Sequence, residues 1–189
     1  MKSILRTMSL LVCTFVAAGT VAAKEPSKEE QREDIRKTTA ETLARLYAAQ
    51  PSAKKAIQNA AGYAVFSNVG LKIFVAGTGK GKGMAVDNAS GKETFMRMLE
   101  IQAGLGMGIK KFRVVFAFED RAVLNEFIES GWQVGGQATA AVKTSGEGEA
   151  FAGAMSISPG IWMYQLTDAG LALELTGKGT KYYQDKDLN

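Results

Sequence analysis

The chain has 189 residues, a formal net charge of +4, no histidine and one cysteine, Cys13. Without histidine there is no Ser-His or Cys-His nucleophile system, no histidine metal site and no histidine acid-base, so only carboxylate, lysine or tyrosine chemistry is left. The length fits one domain with a real core.

Residues 1–23 read as a secretory signal peptide. Lys2 and Arg6 form a basic start, Met8 to Ala18 is apolar, and small residues lead to cleavage after Ala23. The apolar run is too short to span a membrane. A retained N-terminal anchor and lipidation of Cys13 are the competing readings; Val12 stands where lipid-attachment sites favour glycine or alanine. Removing the leader removes the cysteine, so burial and not disulfides must stabilise the exported chain.

Residues 24–34 read as a polar, frayed lead-in, with Ser27 and Glu30 in capping-box spacing. Up to Ala49, Ile35, Thr39, Thr42, Leu43, Leu46 and Tyr47 recur every three or four residues, which predicts a core-packed amphipathic helix. Pro51 ends it or starts the next, and Ala53, Ala56, Ile57 and Ala60 give a second short helix its small apolar side.

After Gly62 the pattern changes to short apolar or alternating runs: 63–69, 72–79, 82–88, 112–120, 132–144, 161–167 and 170–177. These predict strands of a largely antiparallel sheet. Asp87 to Gly91 is a turn cluster, residues 144–149 a loop, and 120–129 a helix with Val123, Leu124, Phe127 and Ile128 on its apolar side. The expected fold class is α+β: a glycine-rich, largely antiparallel β-core, with the N-terminal helices and one further helix packed on it.

The stretch 76–85, AGTGKGKGMA, resembles a phosphate loop but has neither Walker A nor dinucleotide spacing. As a strand it places Gly77, Gly79, Gly81 and Gly83 on one face and Thr78, Lys80, Lys82 and Met84 on the other. Gly104, Gly106 and Gly108 repeat the device. A face without side chains admits close approach by a neighbour, and packing is the first reason to expect it. Charge is divided as well: residues 51–113 carry a net +7 and residues 114–176 a net −6. Either the two halves attract within one fold, or a basic surface meets phosphate.

The blocks AGYAVFSNVG, GTGKGKGMAV, GLGMG with FRVVFAFEDRAVLNEFI, WQVGGQATAAV and DAGLALELTG, in this order, resemble those of the SYLF domain, a lipid-binding module. The likeness covers about residues 35–185, so residues 35–189 are taken as one SYLF-like domain. It implies a glycine-rich β-core with flanking helices, and binding to anionic lipid through basic residues and an amphipathic N-terminal helix. Bacterial members are usually exported, which fits the leader. The sequence departs from the family at Leu71-Lys72-Ile73-Phe74 and at Ile109-Lys110-Lys111, where bulk or charge replaces small residues.

The leading expectation is therefore a non-enzymatic, exported protein that associates with an anionic phospholipid membrane surface in the periplasm, peripheral on the outer membrane. Lys72, Lys80, Lys82, Lys110, Lys111 and Arg113 supply the charge. Its rival is a binding or scaffold module for another envelope protein, using the glycine face or a sheet edge. No catalytic residue, cofactor or metal is expected. The carboxylate pairs Glu119-Asp120 and Glu147 with Glu149 read as a helix start and a solvated loop. Nucleic acid is not expected, because Trp132 and Trp162 lie far from the basic segment.

Overall fold

The computed structural model describes residues 25–73, 76–103, 108–134, 149–167, 170–172 and 178–189. The expected signal peptide and Cys13, the glycines at 104 and 106, the loop at 144–148, and the expected strand positions 135–144 and 173–177 lie outside the described residues.

Ser27 caps α1 (Lys28–Ala49). Its hydroxyl accepts from the Glu30 amide at 3.2 Å, and the Glu30 carboxylate accepts from the Ser27 amide at 2.6 Å. The helix thus begins inside the stretch expected to fray, because the reciprocal cap and the Glu29 pairs with Arg32 and Arg36 hold its first turns. Ile35, Thr39, Thr42 and Leu46 are its buried stripe. Pro51 precedes α2 (Ser52–Asn59), whose Ala53, Ala56 and Ile57 are buried.

Next come four long strands, β1 (Gly62–Ile73), β2 (Ala76–Asp87), β3 (Glu93–Ala103) and β4 (Gly108–Phe118). They are followed by α3 (Arg121–Ser130), β5 (Trp132–Val134), β6 (Met155–Ser158), β7 (Ile161–Thr167), β8 (Gly170–Ala172) and β9 (Lys178–Gln184). The strands form one antiparallel sheet in the order β5-β9-β3-β2-β1-β4-β7-β6, with β8 paired to β7. The fold is α+β.

The sheet curls. β5 and β4 stand five strand steps apart in this order, about 24 Å if flat, yet the Trp132 and Phe116 rings lie 5.9 Å apart. The inner face of the curl holds Phe66, Met96, Met98, Phe116, Phe118 and Tyr182, closed by Leu124 and Phe127 of α3. The outer face holds a second core of Val65, Val115, Ala117 and Tyr164 under Leu46, Ala56 and Ile57 of the N-terminal helices. There burial, then Tyr47, pushes the Tyr164 phenol up to about 12. A third, small cluster joins Ile35 of α1 to Met84, Phe95 and Leu188.

The glycines serve the inner face. A Cβ on Gly83 would lie 2.5 Å from Cδ1 of Phe66 and run into the Val65 carbonyl oxygen; one on Gly81 would lie 2.6 Å from the Ser67 carbonyl oxygen. Phe66 on β1 and Tyr182 on β9 have β2 and β3 between them, but their ring centroids are 4.7 Å apart. The Phe66 ring reaches inward over Gly83, where any side chain would block it.

Candidate functional site

Opposite the glycines, the even-numbered residues of β2 face α1. The register aligns Arg113 of β4, Ser67 of β1, Lys82 of β2, Arg97 of β3 and Tyr183 of β9 in one row across the outer face. The next row is Lys111, Val69, Lys80, Leu99 and Lys181. Strands are about 4.8 Å apart and alternate residues about 7 Å apart, so cations from four strands share one small area.

Their ionic surroundings differ. Lys80 and Lys181 are exposed, and neither has an ion pair among the described residues. Lys82 is exposed and donates to Gln31 Oε1 of α1 at 2.7 Å. Arg97 is committed: its Nε donates to Asp185 at 2.7 Å and its NH2 to Asp187 at 2.9 Å. These pairings, led by Asp185, raise the Arg97 guanidinium above its usual value. The half-buried Arg113 has a buried Nε without a hydrogen-bond partner among the described residues.

Asp185 supplies a pH dependence. Burial pushes its carboxyl up, but the Arg97 hydrogen bond, the Asp187 amide and the charges of Arg97 and Lys82 together hold it below the ordinary 3.8. A depressed folded value means the stabilisation is complete above pH 3.8 and is lost as pH falls through the lower, folded value. Denaturant melts at stepped pH should show this acid limb, and Asp185→Asn should flatten part of it. An unchanged acid limb in that variant refutes the assignment.

Between α1 and these rows lies a cleft of about 490 Å³. Lys80, Lys82 and Arg97 line it beside Thr38, Ser67 and Tyr183. Ile35, Val65 and Leu99 give it carbon, and Asp34 also lines it. Polar ties help to pin the roof. Arg36 pairs with Glu93 at 2.9 Å, Arg32 Nε donates to the Leu188 carbonyl at 2.8 Å, and both guanidinium groups sit over Phe95, at 5.4 and 5.9 Å from the ring centroid.

The six basic residues singled out in the sequence divide by parity. Lys80, Lys82, Lys111 and Arg113 fall on the outer, α1 face. Lys72 pairs with Gly77 and Gly108, and Lys110 with Gly70, so both take the glycine parity of the inner face. The side chains of Lys72, Lys110 and Lys111 lie outside the described residues. The structure adds Lys181, Arg97 and the α1 residues Gln31 and Asp34. Lys181 and Arg97 lie on β9 and β3, two strands the sequence pattern did not reveal. Of the carboxylate pairs, Glu119 accepts from Trp162 Nε1 at 2.6 Å and Asp120 stands at the N-cap of α3, while Glu147 lies outside the described residues.

Among the described residues no helix is long and apolar enough to cross a membrane, and no group of three or more acidic or cysteine side chains could hold a metal ion. No protein-family model matches the chain. The sequence is similar to Beta cell expansion factor A of Aeromonas veronii, with 35% identity over 144 residues, 76% of this chain and 53% of that protein, so the chain spans about half the length of that relative.

Proposed function

We propose that the protein is a non-enzymatic, SYLF-type module of the cell envelope that binds peripherally to anionic phospholipid through the outer face of its sheet. The observation that carries this reading is the grouping of Lys80, Lys82 and Lys181, exposed and in adjacent rows, on a face where Arg97 is already paired with Asp185 and Asp187. The five sequence blocks support it as well. The signal-peptide pattern supports an exported, periplasmic location.

Each basic side chain near an anionic surface contributes about 1 kcal/mol, so Lys80→Ala with Lys82→Ala should weaken binding by about 30-fold. Sedimentation with phosphatidylglycerol-containing vesicles and with pure phosphatidylcholine vesicles tests this, together with a salt titration. Binding should be confined to acidic vesicles and fall with salt. The paired change Lys54→Ala with Lys55→Ala, on exposed positions of α2, should have little effect. Equal binding to both vesicle types, or to neither, defeats the reading; no lipid binding but one saturable protein partner would favour the scaffold alternative.

A further inference from the structure

The cleft beneath α1 has more than surface charge. Cations and buried carbon both line it. Lys80 and Lys82 are exposed, whereas Ile35 and Val65 are at most 3% exposed. Thr38 and Ser67 belong to the same lining, and the next residue in the row beyond Ser67 is Arg113, whose Nε has no hydrogen-bond partner among the described residues. A flat electrostatic surface needs none of this depth. A volume of about 490 Å³ falls within the roughly 300–1,000 Å³ of small-molecule sites, and a two-tailed phospholipid exceeds it.

We infer that this cleft is a binding site for one single-chain amphiphile with an anionic head, the head held by Lys80 and Lys82 and the chain laid against Ile35, Val65 and Leu99. The inference deepens the lipid reading and rests on it for the class of ligand. Within the lining Lys80 and Lys82 face one carboxylate, Asp34; Arg97 is paired from outside it by Asp185 and Asp187, and Asp185 also feels the charge of Lys82, so the two ammonium groups and not a large net charge must hold the anion. Asp34 therefore opposes an anionic head, which gives the site a residue whose removal should tighten binding. A head without a chain leaves the carbon wall wet, and a chain without a charged head leaves both ammonium groups unused. Affinity should need both parts.

Isothermal titration calorimetry of the purified protein below micelle-forming concentrations tests this with decyl phosphate, decyl glucoside and inorganic phosphate. Decyl phosphate should bind one to one, at least tenfold tighter than either of the other two. Equal affinity for decyl phosphate and inorganic phosphate, or a stoichiometry well above one, overturns the site. Thr38→Trp should fill the cleft from α1 and weaken decyl phosphate at least tenfold while circular dichroism stays native; unweakened binding to this folded variant also overturns it. Should that variant not fold, Asp34→Asn, at an exposed position of α1 within the cleft lining, should tighten decyl phosphate at least threefold, and unchanged affinity overturns the site. Vesicle sedimentation separates the two readings. Binding of decyl phosphate without binding to acidic vesicles defeats the peripheral-membrane reading alone. Acidic-vesicle binding without decyl phosphate binding defeats the cleft alone.

Discussion

Replacing Gly83 by valine should lower the melting temperature by about 6–12 °C. The new Cβ would meet the Val65 carbonyl oxygen and the Phe66 ring, neither of which is a loose end of a side chain. Relief would require β1 to move away from β2 or the Phe66 ring to leave its place 4.7 Å from Tyr182. Forced overpacking of this kind costs about 3 kcal/mol, and a domain of this size loses about 2–4 °C per kcal/mol. The control is Gly179→Ala on β9, where a Cβ meets nothing within 4 Å. Relief of glycine's backbone entropy there should be neutral or stabilise by about 0.5–1 kcal/mol. Thermal melts by circular dichroism separate the two. Equal tolerance of both substitutions would mean that Phe66 does not reach across Gly83.

Phe116→Ala should have the larger effect. Its ring is fully buried and packs against Phe66, Phe127, Trp132 and Tyr182 at 6.0, 5.5, 5.9 and 5.0 Å, joining α3 to four strands of the curl. Truncating a core phenylalanine costs about 3–5 kcal/mol, here about 6–20 °C in melting temperature. Trp132 fluorescence should shift to longer wavelength as its neighbour disappears. Phe151 offers the contrast: it is buried, but its one ring partner among the described residues is Trp162, stacked at 5.1 Å. Phe151→Ala should therefore cost clearly less. If the two variants melt together, the inner face is not the dominant core.

The helices were legible because their signals are local. The buried residues of α1, Ile35, Thr39, Thr42 and Leu46, all belong to the stripe read from spacing, and so do Ala53, Ala56 and Ile57 of α2. Alternation along β2 was legible for the same reason, since glycine and lysine mark its two faces. β3 was not. Met96, Met98 and Glu100 face inward while Phe95, Arg97 and Leu99 face outward, so hydrophobicity does not alternate, and these residues suit a helix equally well. β9, KGTKYYQ, is short and polar and is recruited by pairing with β3. Missing these two strands concealed Arg97 and Lys181, and with them Asp185, which directly follows β9 and pairs with Arg97. Counting charge along the chain also merged Lys72 and Lys110 with residues of opposite parity, because register between strands is a tertiary quantity that no single strand encodes.

The position of β9 has a consequence for biogenesis. β3 zips to β2 through a short connection, but its other margin gains a partner only when residues 178–184 arrive, some 75 positions after Ala103. Whether the chain emerges from a ribosome or from an export channel, amino end first, that margin stays open until those residues follow. Through this interval a row of bare amide and carbonyl groups is offered to any passing strand. Whatever escorts the nascent polypeptide has β3 as the segment most in need of a guard.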